Sequence, residues 1–402
     1  MGSLSRVDLR YTEEEETFRS ELKAWLGQVL GDVGPKPSDR TDMAARRAYD
    51  TAWQATLFEG GYAGINWPEE VGGRGASPAE HLIFLEETEK AHAPYVGMNF
   101  VGLLHAGPTL IAEASDAQKA THLRPILAGT DIWCQGFSEP GSGSDLASLS
   151  CRAVRDGDEY VVSGQKIWTS YAESAQYCEM LVRTDTESKH GGITWLIMPM
   201  DTPGIDIRPI KTPVGTTEFS EMFLDEVRIP VENRVGDEND GWRVAMVTFS
   251  FERGTAFVSE LLGSMELLND VVGLAKRTTS GSATAWDDVS IRHELAELAA
   301  EFDALWALTK RNVSQAQRTG LVGPGGNVFK LHYAGLRERL GDVTWKLLGR
   351  TGLGFDNLGD LGAEYDHVEE RIYALTLRIA AGTSQINKNI VGERVLGLPK
   401  ER

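Results

Sequence analysis

QGFSEPGSGSD (Gln135–Asp145) and GQKIWTS (Gly164–Ser170) bracket the stretch on which the fold turns. Between them, CRAVRDGDEYVVSG (Cys151–Gly164) holds two strand-like runs separated by Asp156-Gly157, a pair that favours a short hairpin turn. By itself a loop of Ser, Gly and Pro is only a turn between strands. Here it leads into a hairpin that ends on an indole. Two small hydroxyl residues, Ser138 and Ser170, stand near glycines and beside Trp168, a combination suited to holding a flat polar ring.

Further short β-rich runs follow: YCEMLVRT, GITWLIMPM and SEMFLDEVRIP. They predict a compact middle β-barrel domain over residues 130–238. On its N-terminal side, residues 1–129 read as a helical domain. Thr12 followed by Glu15 forms a capping box, and Glu13–Glu16 sit in the first turn, where negative charge suits the helix dipole. SPAEHLIFLEETEKAHA (Ser77–Ala93) carries apolar residues at helical spacing behind a Ser-Pro start. On the other side, residues 239–402 predict an α-helical bundle, opened by NDGWRVAMVTFSFERGTAFVSELLGSMELLNDVVGLAKR and broken at Arg277–Ser290 and Gly320–Asn327.

The 402-residue chain has 40 Lys and Arg against 59 Asp and Glu, a net charge of −19. Such a surface repels nucleic acid and anionic lipid, so no polynucleotide partner is expected. Any anionic ligand must then be held by local Arg, Lys and backbone N–H groups. No apolar run is long enough to span a membrane, and the start, MGSLSR, opens no apolar leader, so the cytoplasm is the expected compartment. Three cysteines without a C-x-x-C pair argue against a disulfide framework, and neither H-E-x-x-H nor zinc-type spacing occurs, so no metal is expected. GRTGLGF (Gly349–Phe355) follows a helix-like run rather than a strand, which excludes a dinucleotide-binding turn.

In its order of blocks the chain resembles the acyl-CoA dehydrogenases, flavoenzymes that desaturate acyl-CoA thioesters. The resemblance rests on the loop WPEEVGGRG (Trp67–Gly75), on RDGDEYVVSGQKIWTS (Arg155–Ser170) together with the loop at Gln135, and on AGTSQINKNIVGERVLGLP (Ala381–Pro399). It implies the same α, β, α-bundle order, FAD as cofactor, and an electron-transfer flavoprotein as acceptor. Trp168 matches the residue that covers one face of the flavin, and Ser170 the hydroxyl that reaches N5. Phe137 and Ser138 match contacts to the pyrimidine edge, although the family has an aliphatic residue in place of Phe137; Gln135 is taken with them as cofactor-binding. Ser144 matches a pyrophosphate contact and is also taken as a contact to the acyl-CoA. Thr383 and Gln385 match the closing segment that touches the flavin or its adenosine half.

Many members carry the catalytic Glu just before Gly-Thr-Ser-Gln, where this chain has Ala381. A second subset carries it in a Glu-Arg pair on the first long helix of the C-terminal domain, which corresponds here to Glu252-Arg253 in FSFERGTAF. Composition alone also admits Glu252 as a surface helix carboxylate. Phe249, Phe251 and Phe257 give it the apolar setting that a base with a raised pKa needs. The resemblance puts Arg253 near the thioester end of the ligand, as a substrate contact. Small residues after the base, Gly254 and Ala256, leave room for a branched or ring-bearing acyl group.

The pattern breaks at two segments through which family homotetramers reach a neighbour's FAD. KRTTSGSATAW from Lys276 keeps Arg277 but lacks Phe-Gly, and LLGRTGLGFDN from Leu347 has Leu348 for Gln and Thr351 for the first Gly. Two assemblies fit: a homotetramer, or one half of an α2β2 heterotetramer with a second acyl-CoA dehydrogenase-like subunit, as in actinobacterial steroid degradation. Other functions on this fold are acyl-CoA oxidase, flavin monooxygenase, or a structural subunit of a heteromeric enzyme.

Overall fold

The structure, a computed structural model, describes residues 10–252, 257–280, 282–319, 325–354 and 365–400. Helices come first: α1 (Glu13–Val29), α2 (Met43–Glu59), α3 (Pro78–Lys90), α4 (Gly107–Glu113) and α5 (Asp116–Ala128). The capping box at the start of α1 forms in both directions, Glu15 N–H donating to Thr12 Oγ1 at 3.2 Å and Thr12 N–H to Glu15 Oε2 at 2.7 Å. The run from Ser77 stops at Lys90 rather than Ala93, and His92 takes a left-handed φ of 51°, which no α-helix accommodates. A π-helical turn, Gly102–Ala106, precedes α4.

The middle of the chain forms β1 (Trp133–Gly136), β2 (Arg152–Asp156), β3 (Glu159–Ser170), β4 (Tyr177–Arg183), β5 (Ile193–Pro199), β6 (Ile205–Ile210), β7 (Phe219–Pro230) and β8 (Arg234–Val235). These make one sheet in the order β6-β7-β3-β2-β4-β5-β8, with β1 added in parallel to β4. The hairpin expected at Asp156-Gly157 forms one residue later, as a two-residue turn of Gly157 and Asp158, since Asp156 still pairs with Glu159 and Gly157 has a φ of 64°. Alternate residues of β2, β3, β4, β5 and β7 build a fully buried core that includes Tyr160, Val162, Met180, Met198 and Met222. All three cysteines are buried free thiols.

Beyond the sheet come α6 (Gly241–Glu252), α7 (Val258–Arg277), a small hairpin β9 (Thr279–Ser280) and β10 (Ala283–Thr284), then α8 (Val289–Thr319), α9 (Gly325–Leu348), α10 (His367–Thr376) and α11 (Ser384–Ile390). The break expected at Gly320–Asn327 is shorter in the structure, because Gly325 already opens α9; residues 320–324 lie outside the described ones. Helices α7, α8 and α9 bury Leu261, Leu274, Leu298, Phe302, Leu340 and their neighbours in a helical core. The chain divides into two compact units, one of Ser20–Ser77 with Ala91–Glu252, the other of Met1–Arg19, Pro78–Lys90 and Arg253–Arg402. Among the described residues no helix is long and apolar enough to cross a membrane.

Candidate active site

Trp168 is the clearest mark of a ligand platform. Between Lys166 and Thr169 the pairing of β3 with β7 slips by one residue, and Trp168 in this bulge has a φ of 62°. A bulge turns a side chain out of the strand's alternation, at a cost that a non-glycine residue bears only when the surroundings hold it. The indole is left 57 % exposed, with the edge of Phe219 as a ring neighbour at 6.1 Å. Ser170, two residues on, is half-buried, as is Ser138 in the loop after β1. Ser138 is tied to β3 through its backbone, its carbonyl accepting from Ile167 N–H at 3.0 Å.

That loop is held from beneath by a pair absent from the sequence reading. Lys166 is fully buried in β3 and donates to Glu139 Oε1 at 2.8 Å and to the Phe137 carbonyl at 3.2 Å. Glu139 also accepts from the backbone N–H of Ser150 at 2.7 Å and of Cys151 at 2.9 Å. Burial alone would raise the Glu139 pKa, but the Lys166 ammonium and these N–H groups hold it below the usual carboxylate value. The signal was present: Lys166 falls at an inward position of an alternating strand, where a lysine needs a buried partner.

Phe137 is buried at 3 % exposure, its ring edge-on to Phe249 of α6 at 5.9 Å. Its side chain therefore serves packing, and only its backbone remains for a ligand. Phe249 lies one helical turn before Glu252, the last residue of α6, so the helix end that carries Glu252 follows directly on the turn packed against the Phe137 loop. Arg253 lies outside the described residues. Ser144 is exposed on the loop that returns to β2. Gln135 of β1 donates through Nε2 to Glu179 Oε1 at 2.7 Å and to His105 Nδ1 at 3.2 Å, two partners the sequence reading did not single out.

In the other unit, Thr383 caps α11, its Oγ1 accepting from Ile386 N–H at 3.1 Å, and Gln385 is exposed on the first turn. Ala381 ahead of it has a φ of 49°, and buried Lys330 holds it from both sides, donating to the carbonyls of Ala380 at 2.6 Å and Gly382 at 2.7 Å. Asn387 Nδ2 adds a bond to the Gly382 carbonyl at 2.8 Å. Sequence matched this segment but showed none of these supports, which come from a helix about fifty residues earlier.

An exposed indole on a bulge beside two half-buried hydroxyls suits a planar heterocycle with polar edges. Neither Ser138 nor Ser170 uses its side chain on another described residue, so both hydroxyls are available to such a ring. The loop after β1 and the bulge of β3 thus form a candidate site for such a ring.

The acyl-CoA dehydrogenase N-terminal domain matches residues 12–130, the middle domain 134–227 and the C-terminal domain 239–396. The chain belongs to the acyl-CoA dehydrogenase family, whose members are FAD-dependent, and it is an acyl-CoA dehydrogenase with that family's α, β, α-bundle fold. It is 37 % identical to acyl-CoA dehydrogenase IpdE1 of Mycobacterium tuberculosis, over 97 % of this chain and 99 % of that protein. Among solved structures, the ChsE4-ChsE5 complex of Mycobacterium tuberculosis matches at 30 % identity with a TM-score of 0.83, covering 98 % of this chain and 100 % of that one. The Tcur3481-Tcur3483 steroid acyl-CoA dehydrogenase matches at 29 % with a TM-score of 0.81 and the same coverage.

Proposed function

We propose that this protein desaturates an acyl-CoA thioester between its α and β carbons, giving a trans-2-enoyl-CoA, with Glu252 as the base that takes the acidic α-proton. FAD, when bound, supplies the acceptor of the β-hydride. The observation that carries the reading is the Phe137–Phe249 contact, which sets the last turn of α6 against the loop expected to hold the flavin. Ala381 supports it, because a methyl side chain cannot serve as the alternative base. Trp168, Ser138 and Ser170 would hold the flavin ring, Ser144 its pyrophosphate, Thr383 and Gln385 of the closing segment the flavin or its adenosine half, and Arg253 the thioester end of the substrate.

The acyl group is ring-bearing or branched, in keeping with Gly254 and Ala256 after the base and with the steroid enzyme among the relatives. The departures at Leu348 and Thr351 support an α2β2 assembly with a second acyl-CoA dehydrogenase-like subunit, since two of the similar structures pair two different chains. We take the protein to act in the cytoplasm, as the three segments 1–129, 130–238 and 239–402, and to pass electrons to an electron-transfer flavoprotein.

The test is a Glu252→Gln protein that still holds FAD. Removal of a general base lowers turnover by about 10²–10⁴-fold. Desaturation at the native rate by this variant would refute the assignment of the base.

A further inference from the structure

We propose that Gln135 is a hydrogen-bond acceptor locked in one orientation, and that it reads an N–H or O–H donor of the ligand bound at this site. The inference rests on the flavin and acyl-CoA reading above and adds to it a recognition element built by Glu179 and His105.

An amide side chain can present either its N–H₂ or its carbonyl oxygen, and only its partners decide which. Gln135 and Glu179 stand opposite each other in the β1–β4 register. Glu179 is fully buried, and its Oε1 accepts from the Gln135 N–H₂ at 2.7 Å. The second N–H meets His105 Nδ1 at 3.2 Å, which makes that nitrogen the acceptor and puts the imidazole proton on Nε2. Both N–H groups of Gln135 are then used. A reversed amide would set its oxygen against the buried Glu179 oxygen.

The lock is strengthened by what Glu179 lacks. Its Oε2 is buried and has no partner among the described residues, so the bond from Gln135 to Oε1 is a main support of this carboxyl group. In a low-dielectric interior such a bond is costly to leave unmade. His105 Nδ1 lies 3.7 Å from the same Oε1, and the His105 ring is itself braced edge-on by Phe100 at 5.6 Å.

Gln135 Oε1 is the atom left over. It accepts from none of the described residues, and it is not among the buried atoms without partners. Gln135 lies in β1, and Phe137, two residues on and just past the strand's end, meets Phe249 of α6, the helix that ends at Glu252. A fixed, accessible acceptor two residues from that contact selects for a donor. The imide N–H of the flavin ring is one source and a hydroxyl on the acyl group the other; a plain hydrocarbon chain offers neither.

The experiment uses the full-length protein, with its partner subunit if one is needed, as wild type, Gln135→Leu and Glu179→Gln. Glu179→Gln changes one oxygen to an amide nitrogen, which can donate and so frees the Gln135 amide to turn. FAD affinity is read by titrating the apoprotein. Selectivity is read as the ratio of kcat/KM for a ring-hydroxylated cyclohexylpropanoyl-CoA to that for its unhydroxylated counterpart. A flavin donor predicts about tenfold weaker FAD binding and a shifted visible band in both variants, with the ratio unchanged. An acyl hydroxyl predicts unchanged FAD affinity and a ratio lowered about tenfold in both. Variants that match the wild type in affinity, spectrum and ratio overturn the inference while leaving the function above intact. A wild type that takes up no FAD overturns that function and this inference together. Should Gln135→Leu fail to fold, Gln135→Met, of equal length, replaces it.

Discussion

At the scale of single residues, Lys166 and Glu139 decide whether the loop after β1 keeps its shape. Lys166→Met leaves a buried carboxylate without its cation, and removing one partner of a buried pair costs about 3–5 kcal/mol. Urea unfolding should show that loss, and the double variant Lys166→Met/Glu139→Gln should recover part of it. The pH dependence has a defined sign. Because the folded-state pKa of Glu139 is lowered, its contribution is present above the ordinary carboxylate pKa and is lost as pH falls through the folded value. The acid limb of the wild-type stability curve should therefore flatten in the double variant. Trp168→Ala tests the platform itself: the fold should survive, since the indole is mostly exposed, while FAD retention should fall about tenfold or more.

At the scale of elements, α6 and α7 carry two different demands. Gly241 opens α6 so close to β5 that an added Cβ would stand 2.5 Å from the Thr194 carbonyl carbon, a backbone atom that cannot swing aside. Gly241→Ala should destabilise by about 1–3 kcal/mol and lower turnover, because the helix ending at Glu252 is pushed off its seat. On α7, Glu260, Gly263 and Glu266 recur at three-residue spacing, and Glu89 of α3 lies against Gly263, where a Cβ would meet its Oε1 at 2.7 Å. Burial, with the nearby Glu266 and Glu260 charges, raises Glu89 to about 7, and burial raises Glu260 to about 7 against the pull of the Tyr373 hydroxyl and Arg337. Groups whose folded pKa is raised bind more protons when folded, so stability falls as pH rises from about 4.5 to about 7. The urea midpoint should be higher at pH 5 than at pH 7.5, and Glu89→Gln should reduce the difference; an unchanged difference would remove Glu89 from the account.

At the scale of the whole molecule, the departures at Leu348 and Thr351 concern what one chain gives another. The purified chain alone should hold clearly less than one FAD, and co-expression with a second acyl-CoA dehydrogenase-like subunit should restore colour and activity. The visible spectrum, the FAD-to-protein ratio and the mass in solution decide it, and a yellow homotetramer with one FAD per chain would end the heteromeric reading. Much of this molecule was legible in the sequence because its determinants are local. Strand alternation, the hairpin turn at Gly157, the Thr12 capping box and the order of three motif blocks each depend on neighbours a few residues away, so the helical, β and helical order and the family followed from them. Contacts between distant residues were not legible. That Lys166 holds Glu139, that Lys330 holds Ala381, that Phe249 meets Phe137, and that Glu179 and His105 turn the Gln135 amide one way depended on register, bulges and burial. Local chemistry specifies which elements form, whereas the environment of a buried polar group is set only when packing excludes water and leaves one partner within reach.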